Sequence, residues 1–297
     1  MKNDDLGFKY PPIKCSYNRR DVLLFANAIG VQQDELHLLY ELQPKFAMFP
    51  TFPVNLAYKR TDQDVFDFIA RNITGTSPQP DVPGVPPFVP QRSVDGESTT
   101  HQLRGARLRN TQQGGAMILE SEGELIDVKT NMAYVKPSST SFGIGQGGYG
   151  GPRGPSKPST SIPKRARDAV HTFKTSPEAG LLYRLCGDYN PMHADDEVGK
   201  QASFKGAILQ GLGTWNIAAH GLLRELGDSD PERLKLYRAR FKSVVYPDDE
   251  LETRMWIVKS EGGFDHIVFE TIVKDDGRVA LCNGATVKVV MVTNVGT

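Results

Sequence analysis

The sequence predicts an α+β fold in which an antiparallel sheet wraps a buried helix, and three observations predict it. Residues 207–226 carry Ile208, Leu212, Trp215, Ile217, Ala218, Ala219, Leu222 and Leu223. This spacing leaves most of a helix circumference apolar, so the helix needs cover from other structure. Beyond it the apolar period falls to about 2, over residues 234–245, 251–259, 264–274 and 279–292, which are rich in Val, Ile, Phe, Tyr and Thr. Gly262-Gly263 and Asp276-Gly277 stand where hairpin turns are needed. A long helix followed by strands that can curl around it is the hot-dog layout.

The other elements follow in order. Residues 18–29 read as a helix, and residues 116–121 and 125–135 as strands joined by a Glu122-Gly123 turn, so the N-terminal half is a weaker copy of the same layout. Residues 74–91 hold six prolines, and residues 136–163 hold seven glycines and five prolines. Both compositions resist helix and interior strand and are expected as loops. Ser176-Pro177-Glu178 resembles an N-cap, an N1 proline and an early acid, opening a short helix that reaches about Cys186. A polar loop covers 187–196 before the long helix. The expected organisation is a double hot-dog fold: an N-terminal unit over 1–135, a connecting loop over 136–163, and a C-terminal unit over 164–297.

Several classes of function are disfavoured by composition. The 35 Lys and Arg residues balance 35 Asp and Glu residues, so there is no basic excess to gather nucleic-acid phosphates or an anionic membrane. Cys15, Cys186 and Cys282 are odd in number and far apart, which suits free thiols rather than a disulfide framework or a zinc knuckle. The uncharged run over 206–223 includes Gln210, Thr214, Asn216 and His220 and is expected as a buried helix rather than a membrane span. His220 on that helix reads as a core histidine, and His37, His101, His171 and His266 have no evident partner.

Two segments carry possible chemistry. Gly145-Gln146-Gly147-Gly148-Tyr149-Gly150 has the spacing of a dinucleotide loop, but Pro152-Arg153-Gly154-Pro155 follows it and no helix can start there. A flexible loop is the plain reading. Its backbone N–H groups, with Arg153 and Lys157, could also contact an anionic ligand. The second segment is Tyr183-Arg184-Leu185-Cys186-Gly187-Asp188-Tyr189-Asn190-Pro191-Met192-His193. Asp188, Asn190 and His193 fall on one irregular loop, where Asx turns alone would explain the first two. Gly206-Ala207-Ile208-Leu209-Gln210-Gly211-Leu212 follows closely, with glycines where the buried helix begins and its N–H groups point inward.

Together these two stretches resemble the hydratase 2 motif of the MaoC-like enzymes, in particular the eukaryotic (3R)-specific enoyl-CoA hydratase 2 domain of peroxisomal multifunctional enzymes. The resemblance extends to 145–151, to Arg238-Ala239-Arg240-Phe241 with Val245-Tyr246-Pro247, and loosely to Pro50-Thr51-Phe52. It implies a 2-enoyl-CoA or 3-hydroxyacyl-CoA ligand, with Asp188 and His193 as the acid/base pair, Asn190 as their helper and Gly211 as the oxyanion donor. It further implies substrate contacts at Asp95, Gly96, Gly147, Gly148, Tyr149, Tyr189, Pro191, Met192 and Phe241. Two departures stand out: Gln210 where the family commonly has His, and Asp95-Gly96-Glu97 where His-Gly-Glu is expected. A strand's worth of residues also looks to be missing between Glu97 and 103–109, which would remodel the N-terminal unit that receives the acyl tail.

Hydration of a 2-enoyl thioester needs a base for water, an acid for C2 and a donor to the thioester oxygen, and these residues supply all three. No metal and no cofactor are called for, beyond the CoA of the substrate. The reading is thus a hydro-lyase acting on an acyl-CoA, with neither nucleic acid nor membrane insertion involved and with a homodimer left open. The alternatives are a dehydratase or isomerase on a specialised, polyketide-like acyl substrate, and a non-catalytic acyl-CoA-binding protein. The resemblance implies a peroxisome, whereas the C-terminal Asn294-Val295-Gly296-Thr297 is not a Ser-Lys-Leu address and favours the cytosol.

Overall fold

The computed structural model describes residues 12–70, 93–101, 109–113, 116–148 and 161–290. The chain divides into two compact units, Met1–Pro12 with Ala70–Ser159 and Ile13–Ile69 with Thr160–Thr297. This differs from the halves read off the sequence in two places.

The first is helix α1 (Arg19–Ala28), which the sequence placed in the N-terminal unit. Asn18 and Asp21 close a capping box at its start: the Asn18 side chain accepts from the Asp21 N–H, and the Asp21 carboxylate accepts from the Asn18 N–H. Phe25 is fully buried, set edge-on to Phe52 at 5.4 Å and tilted against Tyr183 at 6.4 Å. Aromatic burial against Tyr183 therefore draws the N-terminal segment into the second unit. The segment also carries α2 (Leu36–Leu39), a 3-10 turn at Phe52–Asn55 and α3 (Leu56–Lys59).

The second place is the expected loop 136–163, which strand β5 (Ala133–Ile144) enters as far as Ile144. Pro137 is tolerated because its carbonyl accepts from the Gly123 N–H at 2.9 Å. A strand residue aims N–H and C=O to the same side, so the donor Pro137 lacks would have faced the break between β3 (Ala116–Glu122) and β4 (Leu125–Ile126), and no ladder bond is lost there. Residues 74–91 and 149–160 lie outside the described residues.

The first unit also holds β1 (Ser93–His101) and β2 (Arg109–Gln113). Its strands are antiparallel in the order β2-β3-β5-β1, with β4 beside β5. The strand expected over 125–135 is broken by a turn in which the Asp127 carboxylate accepts from the N–H groups of Lys129 and Thr130.

In the second unit β6 (Ala169–Lys174), β7 (Leu234–Phe241), β8 (Glu250–Glu261), β9 (Phe264–Val273) and β10 (Val279–Val290) form an antiparallel sheet ordered β7-β10-β9-β8-β6. The long helix, here numbered α6 (Gly211–Gly227) since α4 (Ala179–Arg184) and α5 (Asp196–Gln201) precede it, packs on β6, β7, β8 and β10. Trp215, Ala218, Ala219, Leu222 and Leu223 are fully buried. Strand β6 was not anticipated, since Ala169–Lys174 has no clean alternation: only His171 is buried along it.

One row of α6 is polar, with Asn216, His220 and Arg224 four residues apart and aimed at the N-terminal segment. Asn216 donates to the Tyr183 hydroxyl at 2.8 Å, which donates to Asn55 at 3.1 Å. His220 and Arg224 each approach the Glu35 carboxylate at 2.9 Å, and the Ser229 hydroxyl donates to it. His220, read as a core histidine, is fully buried beside this carboxylate. Burial alone would raise the Glu35 carboxyl, but hydrogen bonds from His220, Ser229 and the Gln32 N–H overcome it and hold the group at about 2.

A carboxyl held below its unfolded value stabilises the fold at pH above that unfolded value. The contribution is lost as pH falls through the folded value. Glu35→Gln should therefore lower stability by about 3 kcal/mol at neutral pH, with the gap from wild type closing between the ordinary carboxylate range and about pH 2. Thermal unfolding across that range checks it, and a gap independent of pH would contradict it.

Candidate active site

The loop between α4 and α5 is shaped by tight backbone packing. Gly187 has φ +124°, and a Cβ there would lie 2.7 Å from the backbone N of Lys59, so only glycine fits between α3 and the loop. Asp188 comes next and accepts from the Asn190 N–H at 3.3 Å. Asn190 accepts from the Met192 N–H at 3.1 Å, capping the 3-10 turn Pro191–His193. The expected Asx-turn hydrogen bonds are present, and they hold the side chains of Asp188 and Asn190 in place.

His193 is 7% exposed along its side chain, and its Nδ1 lies 2.9 Å from the carbonyl oxygen of Ile208. A carbonyl only accepts, so Nδ1 carries the proton and Nε2 of the neutral ring has its lone pair free. That Nε2 stands 3.7 Å from Asp188 Oδ2. The separation exceeds a direct hydrogen bond and suits two groups that share a water or a substrate oxygen. Asp188 keeps 20% side-chain exposure, yet its packed surroundings push the carboxyl above its ordinary value, with His193 and the Asn190 N–H partly offsetting the burial. The nearby Cys186 thiol is pushed up to about 12 by burial, so it is no nucleophile at neutral pH.

Residues 207–210, expected as the first turn of the long helix, belong instead to a non-helical strap over 205–210. Its donors are used one after another: Lys205 N–H to the Tyr246 hydroxyl, Ala207 N–H to the Asp196 carboxylate, Ile208 N–H to Met192 O, and Leu209 N–H to Val245 O. α6 starts at Gly211, with Gln210 at its N-cap. The first-turn N–H groups of a helix have no partner within it, which leaves Gly211 as a donor at the positive end of a 17-residue dipole.

The other expected contacts separate into groups. Pro191 and Met192 are half-buried in the same turn, and Phe241 is half-buried at the end of β7 opposite Leu281. The ring of Tyr189 lies between Phe66 at 4.6 Å and the Arg184 guanidinium at 5.0 Å, which anchors the loop. Gly96 belongs to the first unit, at the β1 bulge between Asp95 and Glu97, where a Cβ would lie 2.1 Å from the Phe142 ring. That packing leaves no space for a side chain at the position. Gly147 and Gly148 also belong to the first unit and follow β5, with Gly148 at φ +84° and exposed. Tyr149 and the side chain of Asp95 lie outside what is described.

Sequence reasoning missed Ile208, whose contribution is a carbonyl and leaves no trace in residue type. It also missed Gly180, on which the His193 carbonyl rests: a Cβ there would lie 2.7 Å from that oxygen. A glycine inside a helix was the available signal. An open cleft of about 490 Å³ borders His193, walled also by Gly180, Gly206, Ala207, Tyr246 and Arg278. Asp188 does not line it, so it reaches only one half of the pair. Among the described residues no cluster of His, Cys, Asp or Glu could hold a metal ion, and no helix is long and apolar enough to cross a membrane.

Comparison with known proteins bears on the whole chain. Residues 158–278 match the model of the MaoC like domain, and residues 15–74 match that of the MFE-2 hydratase 2 N-terminal domain. The chain is 38% identical to a probable dehydratase of Ajellomyces capsulatus, over 96% of this chain and 81% of that one. It is 32% identical to a probable enoyl-CoA hydratase 2 of Dictyostelium discoideum, over 95% and 94%. A crystal structure of a MaoC-like dehydratase from Phytophthora capsici superposes over 100% of both chains with a TM-score of 0.85 at 31% identity.

The buried Asp188 yields a prediction independent of any reaction. A carboxyl whose folded pKa is raised costs stability once ionised, and the cost grows as pH rises from the unfolded value to the folded one. Asp188→Asn should therefore melt at or above the wild-type temperature at neutral pH, the difference vanishing in acid. A lower melting temperature for the variant at neutral pH would refute the assignment of its environment.

Proposed function

The chain belongs to the MaoC-like family of enoyl thioester hydratases and dehydratases, and from that premise we propose that Asp188 and His193 carry its acid/base chemistry. The protein is a hydro-lyase, adding or removing water across the 2,3 double bond of an enoyl-CoA thioester. The observation that supports the residue assignment is the pair itself: a carboxyl and an imidazole 3.7 Å apart, with the imidazole locked in one tautomer by Ile208.

Water held between Asp188 Oδ2 and His193 Nε2 loses its proton to the pair as its oxygen bonds to C3. The electron pair of the double bond moves toward the thioester, whose oxygen becomes anionic and takes the Gly211 N–H as donor. The pair then returns a proton to C2, giving the 3-hydroxyacyl thioester, the (3R) isomer on our reading. Asn190 holds Asp188 and the His193 turn in register through two hydrogen bonds, and Phe241, Pro191 and Met192 contact the acyl part. The reverse sequence dehydrates the hydroxyacyl thioester. Positioned proton transfer contributes about 10² to 10⁴ in rate, and one oxyanion donor about 10² to 10³. A second reading is a dehydratase of a specialised acyl thioester, which the similarity to the Ajellomyces dehydratase favours.

Loss of enoyl absorbance with crotonyl-CoA and decenoyl-CoA tests the first reading. Wild-type protein should turn over at least one of them. Asp188→Asn and His193→Ala should each fall at least about a hundredfold while remaining folded. Rates within about threefold of wild type in either variant would remove that residue from the proton-transfer step.

A further inference from the structure

We propose that Gln210 is a positioning residue, fixing the distance between His193 and the first turn of α6; the proposal rests on the hydration reading above. Gln210 is fully buried at the helix N-cap, yet its side chain makes no cap hydrogen bond. Its Nε2 donates sideways instead, to the carbonyl of Gly180 in α4 at 3.2 Å. Gly180 is the residue on which the His193 main chain rests, with no room for a Cβ between them. The path back is equally short. Ile208, two residues before Gln210, donates its N–H to Met192 O at 3.2 Å and accepts from His193 Nδ1 at 2.9 Å.

Gln210, Gly180, His193 and Ile208 thus form a closed circuit of contacts, and Gly211, the oxyanion donor, is the next residue along the chain. Each other link in the circuit is backbone or the catalytic imidazole itself. Gln210 contributes the one side chain that ties α6 to α4 from the strap. Its Oε1 is buried and has no hydrogen-bond partner. A residue kept for packing alone would be better apolar, since a buried unpaired carbonyl is unfavourable; the donor half is what the position is built around. Without that bond the start of α6 keeps its backbone ties through Ile208 and Leu209 and the Asn216–Tyr183 bond. It loses the tie at the N-cap itself, so its first turn can shift slightly relative to His193. The proton returned to C2 and the N–H that receives the enolate oxygen then fall out of register, and displacements near 1 Å cost reaction rates severely.

The test is Gln210→Met, which keeps a straight side chain of similar volume but removes both the donor and the unpaired acceptor. Expected are a melting temperature at or above wild type, a kcat on enoyl-CoA lower by about tenfold or more, and a KM little changed. Gln210→His, which still presents an N–H toward Gly180, should recover most of the lost kcat. The titration midpoint of His193, followed by NMR in protein without substrate, should move in Gln210→Met and return in Gln210→His. Wild-type kcat with an unmoved His193 titration in Gln210→Met would overturn the proposal, as would a fall in kcat matched by a fall in melting temperature. If the wild type hydrates no enoyl-CoA, the functional reading fails, and the His193 titration alone still decides the positioning.

Discussion

Enclosure of α6 is the constraint on which the rest of the second unit depends. Trp215, Ala218, Ala219, Leu222 and Leu223 have no exposed surface, so the sheet must cover the helix on several sides and its N-terminus must open into protein rather than into water. A helix end with unpaired donors facing inward is a cost anywhere else in a fold. Here the helix start at Gly211 follows directly on the strap whose Ile208 carbonyl accepts from His193 Nδ1, and its first-turn N–H groups can receive negative charge. The strap over 205–210 follows from that placement. It delivers the chain to the helix start, and the N–H groups of Lys205, Ala207, Ile208 and Leu209 are each taken by a neighbour.

Enclosure also creates a second demand, because α6 is not apolar all round. Asn216, His220 and Arg224 lie along one row, and burying them requires partners from elsewhere. The N-terminal segment supplies these through Asn55, acting by way of Tyr183, and through Asp34 and Glu35. The same segment brings the Lys59 backbone against Gly187, directly before Asp188. One docking event thus satisfies the polar row of the helix and braces the loop that carries the carboxyl. Satisfaction is incomplete, for Asn55 Nδ2 and Asn216 Oδ1 remain buried without partners, so the network is specific rather than saturated.

The loop over residues 187–193 was legible because it is local. Asp188, Asn190 and His193 lie within six residues, their turns are closed by neighbours two residues away, and glycine at 187 announces an unusual backbone. The carbonyl of Ile208, the bracing by Lys59 and the role of Gly180 were not legible. Each is a backbone contact between segments far apart in the chain, and residue type carries no record of it. Tyr189 is likewise held by contacts that residue type does not record: its ring packs against Arg184 from the helix before it and Phe66 from the distant N-terminal segment.

The sequence by itself determined the α+β class, the buried helix, the late antiparallel strands and their Gly262-Gly263 turn, the Asp188 to His193 loop, and the family. All but the family rest on periodicity or on short spacings, which local sterics and hydrophobic burial dictate without long-range information; the family rests on the resemblance of residues 183–193 and 206–212 to a known motif. Tertiary structure alone decided that residues 136–144 form a strand, that Arg19–Ala28 joins the second unit and that α6 begins at Gly211 rather than near Ala207. Those outcomes turn on which partner takes a backbone donor or an apolar face. Pro137 sits in a strand where a break in the neighbouring strands faces it, and Ile208 and Leu209, outside the helix, give their N–H groups to Met192 and Val245.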